Sequence, residues 1–509
     1  MKIALAQFNS TVGDLNSNTN EIASFINSAR EKGADLVVFP ESALTGNPPE
    51  GLLDCPDFIK AGRAALNQII SSASGIGVLL STKMISRKNN NHDHCAVLIE
   101  NGSINGRLVL NEPGCLKFHG YTIALSVSKG SCEKEYLYAR PDVYINLCAE
   151  NYRFKKMADR VERYSGIACK YGIPFLHVNQ VGGNGELVFD GSSMVFDEKG
   201  NLVILGKHFS EDLVIFDTDS SYQPLPIPKE DISWVYNALV LGFKDYFHKN
   251  GFTKTLLGLS GGIDSALVAC IAADALGREN VLGVSMPSRY SSSHSRDDAR
   301  QLAENLGVEY RVLPIEEPFA AYIRLMNGSN ETIGDLAEEN IQARIRGSLL
   351  MFISNREGRM LVATSNKSEA AVGYSTLYGD MCGGLAPIGD IPKTMVYELC
   401  NYINREKEII PVNTIIKPPS AELRPDQLDQ DSLPPYDVLD GIIEMNLDDN
   451  LSADEIVSKG YDRELVLKIL NMIDRMEYKR RQAAPVLKIT SDALIEHRKM
   501  PLVQRFRRS

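Results

Sequence analysis

The stretch Gly258-Leu-Ser-Gly-Gly-Ile-Asp-Ser265 decides the fold of the second half of the chain. The apolar run Thr255–Leu259 before it predicts a buried strand, and Asp264–Leu276 after it predicts a helix that ends at Gly277. A glycine-rich turn between a strand and a helix leaves free N–H groups at the helix start, and such groups bind anions. No lysine follows the glycines, so the stretch does not match a Walker A loop.

Strands and helices alternate on both sides of this stretch in the second half of the chain. The predicted strands are Thr255–Leu259, Val281–Met286, Val308–Ile315 and Arg359–Thr364, and the further predicted helices are Arg296–Leu306 and Leu336–Asn355. Short right-handed connections make such a unit a doubly wound parallel sheet. In such sheets, ligands bind beyond the carboxyl ends of the strands.

The first half also alternates between strands and helices, which predicts an α/β layered domain. Its predicted strands are Lys2–Phe8, Asp35–Phe39, Tyr121–Val127, Val143–Leu147 and Pro174–Val178. Three prolines between 220 and 230 suit an extended linker. The predicted organisation is therefore a first domain at 1–219, a linker at 220–235 and a second domain at 236–509.

The composition excludes several classes of function. The chain has 509 residues with 54 Lys and Arg against 65 Asp and Glu, a net charge of −11, which argues against a nucleic-acid-binding protein. Its nine cysteines form no CxxC pair, and no signal peptide is evident, which predicts free thiols in the cytoplasm. No apolar run reaches the roughly 18–20 residues that span a membrane.

The glycine-rich stretch resembles the pyrophosphate-binding loop of N-type ATP pyrophosphatases. Further motifs from about Leu256 to the C-terminus resemble the NAD synthetase family. They are Glu339-Asn-Ile-Gln-Ala-Arg344, Thr364-Ser-Asn-Lys-Ser-Glu369, Gly373-Tyr-Ser-Thr-Leu-Tyr-Gly-Asp380, Gly389-Asp-Ile-Pro-Lys393, Ser420-Ala-Glu-Leu-Arg-Pro-Asp426 and Glu477-Tyr-Lys-Arg-Arg-Gln482.

The resemblance implies an ATP-dependent amidation of deamido-NAD, in which the nicotinate carboxylate forms an acyl adenylate, pyrophosphate leaves, and ammonia then displaces AMP. It implies Asp264, Lys393 and Asp380 as catalytic residues, and Mg²⁺ held by Asp264 and Glu369. The implied ATP-binding residues are Gly258, Leu259, Ser260, Gly261, Gly262, Ile263, Asp264, Ser265 and Thr364. The implied deamido-NAD-binding residues are Asn340, Arg344, Glu369, Tyr374, Ser375, Thr376, Leu377 and Lys479.

The first half resembles the nitrilase (carbon–nitrogen hydrolase) superfamily, an α-β-β-α sandwich, in Asp35–Gly46, Val178–Gly183 and Glu186–Ser193. In glutamine-dependent NAD synthetases such a domain releases ammonia from glutamine with a Glu, Lys and Cys triad. Glu41 matches the family glutamate, but Ser128 stands where the nucleophilic cysteine is expected, and Lys129 and Gly130 replace the acids after it. Too little chain lies between Arg107 and Gly120 for the family lysine segment, so we expect a degenerate amidase site.

A rival triad is Glu41, Lys117 and Cys148, which would make the chain a fully glutamine-dependent synthetase. A third hypothesis is a non-catalytic scaffold or regulator built on both folds. The main expectation is a synthetase that uses free ammonia. Its expected partners are small-molecule substrates, with no nucleic acid or membrane, and it is expected to form at least a homodimer.

Overall fold

The computed structural model describes residues 1–85, 92–109, 114–128, 140–491, 500–503 and 508. The chain divides into two compact units, Met1–Glu230 and Asp231–Ser509. The helix that opens the second unit begins at Ile232, inside the predicted linker, where the Asp231 side chain caps it by accepting from the Ser233 N–H. Across the described part of the chain, no helix combines the length and the apolar character that crossing a membrane would require.

Among its described residues, the first unit contains fourteen strands and three α-helices. The strands are β1 (Lys2–Gln7), β2 (Leu36–Val38), β3 (Gly77–Ile85), β4 (His92–Glu100), β5 (Ser103–Val109), β6 (Cys115–Phe118), β7 (Tyr121–Val127), β8 (Val143–Cys148), β9 (Phe175–Asn179), β10 (Val181–Asn184), β11 (Leu187–Asp190), β12 (Met194–Phe196), β13 (Leu202–Leu205) and β14 (Asp212–Asp217). The helices are α1 (Leu15–Glu31), α2 (Pro56–Ser72) and α3 (Met157–Tyr171).

Two six-stranded sheets face each other in this unit, with the orders β14-β1-β2-β3-β4-β5 and β13-β12-β9-β8-β7-β6. Side chains along a strand alternate between its two faces. In β1, Ile3 and Leu5 therefore lie in the core between the sheets, while Ala4 and Ala6 lie in a second core with residues of α1 and α2. Helix α3 packs against β9 and β12. The predicted α-β-β-α sandwich is confirmed.

In the part of the second unit that the structure describes there are four strands, β15 (Thr255–Gly258), β16 (Val281–Ser285), β17 (Glu309–Val312) and β18 (Met360–Leu361). Its helices are α4 (Ile232–Lys249), α5 (Ile263–Leu276), α6 (Ser293–Leu306), α7 (Glu316–Asn327), α8 (Leu336–Glu357), α9 (Lys367–Val372), α10 (Lys393–Ile403), α11 (Val412–Ile416), α12 (Tyr436–Leu447), α13 (Ala453–Ser458), α14 (Arg463–Arg475) and α15 (Glu477–Arg480).

The four strands of the second unit are all parallel, in the order β17-β16-β15-β18. The chain starts in the middle of the sheet, moves outward through β16 and β17, and returns to the other side of β15, so the predicted doubly wound parallel sheet is confirmed. Because β15 and β18 are neighbours, the segments that leave their carboxyl ends lie side by side. Helices α12 and α14 both pack against α9, which fixes one wall of that region.

Candidate active site

The glycine-rich loop connects the end of β15 to the start of α5. Gly261 has a φ of +84°, and a Cβ added there would lie 2.1 Å from the main-chain oxygen of Ser295, so only glycine fits. The Ser260 hydroxyl accepts from the Gly262 N–H at 3.1 Å, and the Ser265 hydroxyl donates to the Gly262 carbonyl at 2.9 Å. These bonds hold the loop in shape at the N-terminus of α5, where an anion is favoured.

Two carboxylates and one ammonium group meet beside this loop. Lys393 Nζ donates to Asp264 Oδ2 at 2.5 Å and lies 3.5 Å from Glu369 Oε1. Asp264 is in the first turn of α5, Glu369 is in the short helix α9, and Lys393 begins α10. The parallel pairing of β15 with β18 brings the first two together, and the Lys393 N–H is fixed by donating to the Ser368 hydroxyl at 2.8 Å.

The electrostatics of this cluster depend on burial. The Lys393 side chain is only 2% exposed. Burial alone would lower the pKa of its ammonium, but Asp264 and Glu369 raise that pKa above its ordinary value, so the group stays charged. Burial raises the pKa of the Glu369 carboxyl, and the Lys393 ammonium opposes that rise. The cluster is therefore a buried cation held between two acidic groups.

Asn366 belongs to the same cluster, although our sequence reasoning did not assign it a role. Its side-chain amide donates to Asp264 Oδ1 at 2.9 Å, and its side-chain oxygen accepts from the Glu369 N–H at 3.0 Å. Asn366 thus caps α9 and orients the Asp264 carboxylate. An asparagine three residues before Glu369, at the start of a helix, is the sequence signal that could have identified it.

The residues predicted to bind the dinucleotide meet around one turn, 374–380. The Thr376 hydroxyl donates to the Asn340 side-chain oxygen at 2.7 Å, and Arg344 Nε donates to the Leu377 carbonyl at 3.2 Å. The Thr376 N–H donates to the Asp380 carboxylate at 2.7 Å. Asn340 and Arg344 lie one helical turn apart on α8, so both face this turn.

Lys479, on α15, contacts the same segment from the other direction. Its ammonium donates to the carbonyls of Gly373 and Ser375 at 2.7 and 2.6 Å. Tyr374 packs against the apolar cluster around α9, and Thr364 follows β18 in a half-buried position. The predicted residues thus gather at the carboxyl ends of β15 and β18.

In the first unit, Glu41 follows β2 and Ser128 follows β7. The Ser128 hydroxyl donates to Glu41 Oε2 at 2.6 Å, and Ser128 has a φ of +62°, unusual for a residue other than glycine. Ser128 and Glu41 therefore lie side by side. Lys129, Gly130 and residues 111–113 lie outside the described residues.

The three residues of the rival triad differ in exposure. Lys117 is exposed on β6, whereas Glu41 and Cys148 are buried. Cys148 ends β8 with 1% exposure, and its thiol lies near the side chains of Glu150 and His177. The Glu41 N–H donates to the main-chain oxygen of Cys148 at 3.4 Å, so these two residues are neighbours through the backbone.

Comparison with known proteins bears on both units. The NAD synthase family model matches residues 235–483, and the carbon-nitrogen hydrolase model matches residues 2–113. The chain is 42% identical to a glutamine-dependent NAD(+) synthetase of Synechocystis sp., over 99% of each chain. It is 38% identical to the Thermotoga maritima protein of the same name, over 100% of this chain and 99% of that one.

A solved structure of the glutamine-dependent NAD⁺ synthetase from Acinetobacter baumannii, in complex with ADP, is 33% identical with a TM-score of 0.75, over 98% of each chain. These proteins are named glutamine-dependent, and their names do not support our expectation of a degenerate first domain. Both family models match this one chain, with the carbon-nitrogen hydrolase match before the NAD synthase match, and the similarity to the Synechocystis protein extends over nearly the whole length of both chains. The chain belongs to the two-domain NAD synthetase family, in which a carbon–nitrogen hydrolase-like domain precedes the NAD synthase domain.

Proposed function

We propose that this enzyme amidates deamido-NAD to NAD through an acyl adenylate, with ATP as the second substrate and AMP and pyrophosphate as products. The observation that carries the proposal is the Asp264–Lys393–Glu369 cluster beside a glycine loop at a helix N-terminus. The loop supplies main-chain N–H donors for the phosphates. The Lys393 ammonium is suited to the negative charge that develops when the nicotinate carboxylate attacks the α-phosphate.

Asp264 and Glu369 would hold Mg²⁺. Both carboxylates reach one ammonium group, so their oxygens converge, and their side chains are 17% and 18% exposed, which leaves them accessible. Carboxylate oxygens are the ligands that Mg²⁺ prefers. When bound, the ion would neutralise charge between two anionic substrates.

The turn 374–380 supports a role in holding the dinucleotide. Asn340, Arg344 and Lys479 contact this turn, and Asp380 fixes its backbone. These contacts pre-organise the turn before substrate binds, which lowers the entropy lost on binding.

For the nitrogen source, we propose free ammonia. A nucleophilic hydroxyl at Ser128 would be far less reactive than a thiolate near neutral pH. Lys117, the lysine available to the rival triad, is exposed. Ser128, whose hydroxyl donates to Glu41, would therefore not cleave glutamine at a useful rate.

Glutamine is the second candidate nitrogen source, and two observations favour it. The relatives are named glutamine-dependent, and a cysteine, Cys148, ends the strand next to that of Ser128. In that case Cys148 would attack the glutamine amide.

The test measures NAD formation by the full chain from deamido-NAD, ATP and Mg²⁺, with either ammonium or glutamine. We expect synthesis with ammonium and little with glutamine alone. Asp264→Ala should abolish synthesis with either source, whereas Glu406→Ala, an exposed control, should not. Normal turnover by Asp264→Ala would overturn the synthetase site.

The nitrogen source is decided by further variants. Ser128→Ala and Cys148→Ala should leave the ammonium-supported rate unchanged. Strong glutamine-supported synthesis that Cys148→Ala abolishes would contradict the ammonia proposal and support the second candidate. With ammonia as the attacking species, the rate at fixed total ammonium should rise with pH until another group limits it.

We also propose a cytoplasmic homo-oligomer. The nine cysteines without CxxC pairs support a reducing compartment. Sedimentation of the purified chain would test the oligomeric state, and a monomer at micromolar concentration would contradict it.

A further inference from the structure

A second group of ligand-type side chains lies buried in the first unit, outside the proposed synthetase site. Cys148 ends β8, Glu150 follows it, and His177 lies in the neighbouring parallel strand β9. Their exposures are 1%, 6% and 0%. One ligand atom from each, the cysteine sulfur, a carboxylate oxygen and an imidazole nitrogen, lies within 4.8 Å of the others.

Hydrogen bonds fix the tautomer of His177. The main-chain oxygen of Ser128 can only accept, so the Asn146 group that faces it at 2.9 Å is the amide nitrogen, which also donates to Ser126. The side-chain oxygen of Asn146 therefore faces Nδ1 of His177, at 2.8 Å. Nδ1 must carry the hydrogen, which leaves the lone pair on Nε2.

Nε2 of His177 has no hydrogen-bond partner among the residues that the structure describes, and the side chain is fully buried. A buried acceptor without a donor is destabilising, because it has lost its hydrogen bonds to water. The ring is nevertheless held firmly, because it also stacks on Tyr164 with centroids 4.4 Å apart. An oriented, buried lone pair on a histidine that is grouped with a thiol and a carboxylate is the arrangement that a metal ion would satisfy.

We infer that Cys148, Glu150 and His177 form a site for Zn²⁺ or a similar thiophilic divalent cation. Sulfur, nitrogen and carboxylate oxygen are all common zinc ligands, and a histidine ligand commonly donates its other ring N–H to a fixed acceptor, here Asn146. Around a tetrahedral zinc ion, ligand atoms lie about 3.5 Å apart. Binding therefore draws these three side chains together by about 1 Å.

The charges around the group are compatible with a bound cation. Binding displaces the thiol proton of Cys148 to solvent, so the ligand set carries two negative charges. Arg160 and Arg163 lie 3.5 and 3.3 Å from the Glu150 carboxylate, and Asp190 pairs with Arg160 at 2.9 Å. A solvent molecule would complete the coordination.

The experiment uses the full chain after treatment with a chelator. Titration with Co²⁺ should give a thiolate-to-metal charge-transfer absorption that saturates at one equivalent, and Zn²⁺ should displace it. Zinc should also raise the melting temperature of the first unit. X-ray absorption of the zinc form should show one sulfur and at least one imidazole ligand.

Variants separate this site from other thiols and from the Mg²⁺ site. Cys148→Ser and His177→Gln should lose the absorption, whereas Cys169→Ser, an exposed cysteine on α3, should keep it. Asp264→Asn should also keep it, so the result does not depend on the proposed function.

Two outcomes would overturn the inference. The first is the absence of a charge-transfer band in the wild-type chain. This result does not depend on whether any variant folds. The second is a band of full intensity in Cys148→Ser.

Discussion

Replacing Lys393 with methionine tests the electrostatic argument at the centre of the second unit. The substitution keeps most of the aliphatic stem and removes a 2% exposed ammonium that contacts Asp264 at 2.5 Å and Glu369 at 3.5 Å. At an effective dielectric constant of about 20, these contacts correspond to attractions of roughly 7 and 5 kcal/mol, before the desolvation of the ammonium offsets several kcal/mol.

Removing one partner of a buried ion pair typically costs about 3–5 kcal/mol, because the remaining charge is left without compensation. We expect Lys393→Met to lower the free energy of unfolding of the second unit by about 3 kcal/mol, the lower end of that range. The reason is that Glu369, whose pKa burial already raises, can take up a proton when the ammonium is removed.

The assay is urea unfolding followed by tryptophan fluorescence, without ATP or Mg²⁺. The chain has one tryptophan, Trp234, which lies in α4, so the signal reports on the second unit. Arg463→Met is the control, because the pair of Arg463 with Asp454 is 53% and 79% exposed and should contribute at most about 1 kcal/mol.

A matched double variant checks the cause of the expected loss. Glu369→Gln combined with Lys393→Met should regain part of the lost stability, since the glutamine carries no charge. A Lys393→Met chain within about 1 kcal/mol of wild type would refute the reasoning.

Two further predictions concern the loop and the first unit. Gly261→Ala should abolish ATP binding in calorimetry, because the alanine Cβ would lie 2.1 Å from the Ser295 oxygen. Gly251→Ala is the control, since Gly251 also has a positive φ but no described atom lies within 4 Å of an added Cβ. This control should lower the free energy of unfolding by about 1–2 kcal/mol and leave ATP binding intact. Burial lowers the pKa of His208, so the unfolded chain takes up a proton more readily than the folded one. His208 should therefore make the first unit lose stability as pH falls below about 6.5, and its own contribution should be at most about 1.4 kcal/mol per pH unit. His208→Asn should remove this contribution from the pH dependence of thermal unfolding, and an unchanged slope would contradict the prediction.

The glycine-rich loop and its flanking elements could be predicted because their signals are local. The predicted strand Thr255–Leu259 and helix Asp264–Leu276 each differ from β15 and α5 by one residue at one end. An apolar run and a glycine that must adopt positive φ are both readable without knowledge of the tertiary structure.

Elements at the edge of the site were less predictable. The apolar run Arg359–Thr364 predicts a full strand, but β18 spans only Met360–Leu361. Beyond it, Val362 pairs with Leu385 in an isolated bridge, and the chain turns toward Asn366. Such pairing depends on a segment that is distant along the chain, so local periodicity does not reveal it.

The relation of Ser128 to Cys148 shows what strand register adds to a sequence motif. Strands β7 and β8 are parallel with Val127 opposite Leu147, so the residues that follow, Ser128 and Cys148, end neighbouring strands at the same edge. Sequence alone leaves either residue as the partner of Glu41. The side chains differ in direction: the Ser128 hydroxyl donates to Glu41, while the Cys148 thiol lies near His177. Because the Cys148 sulfur lies within 4.8 Å of ligand atoms of His177 and Glu150, this residue is placed to bind a metal ion together with them.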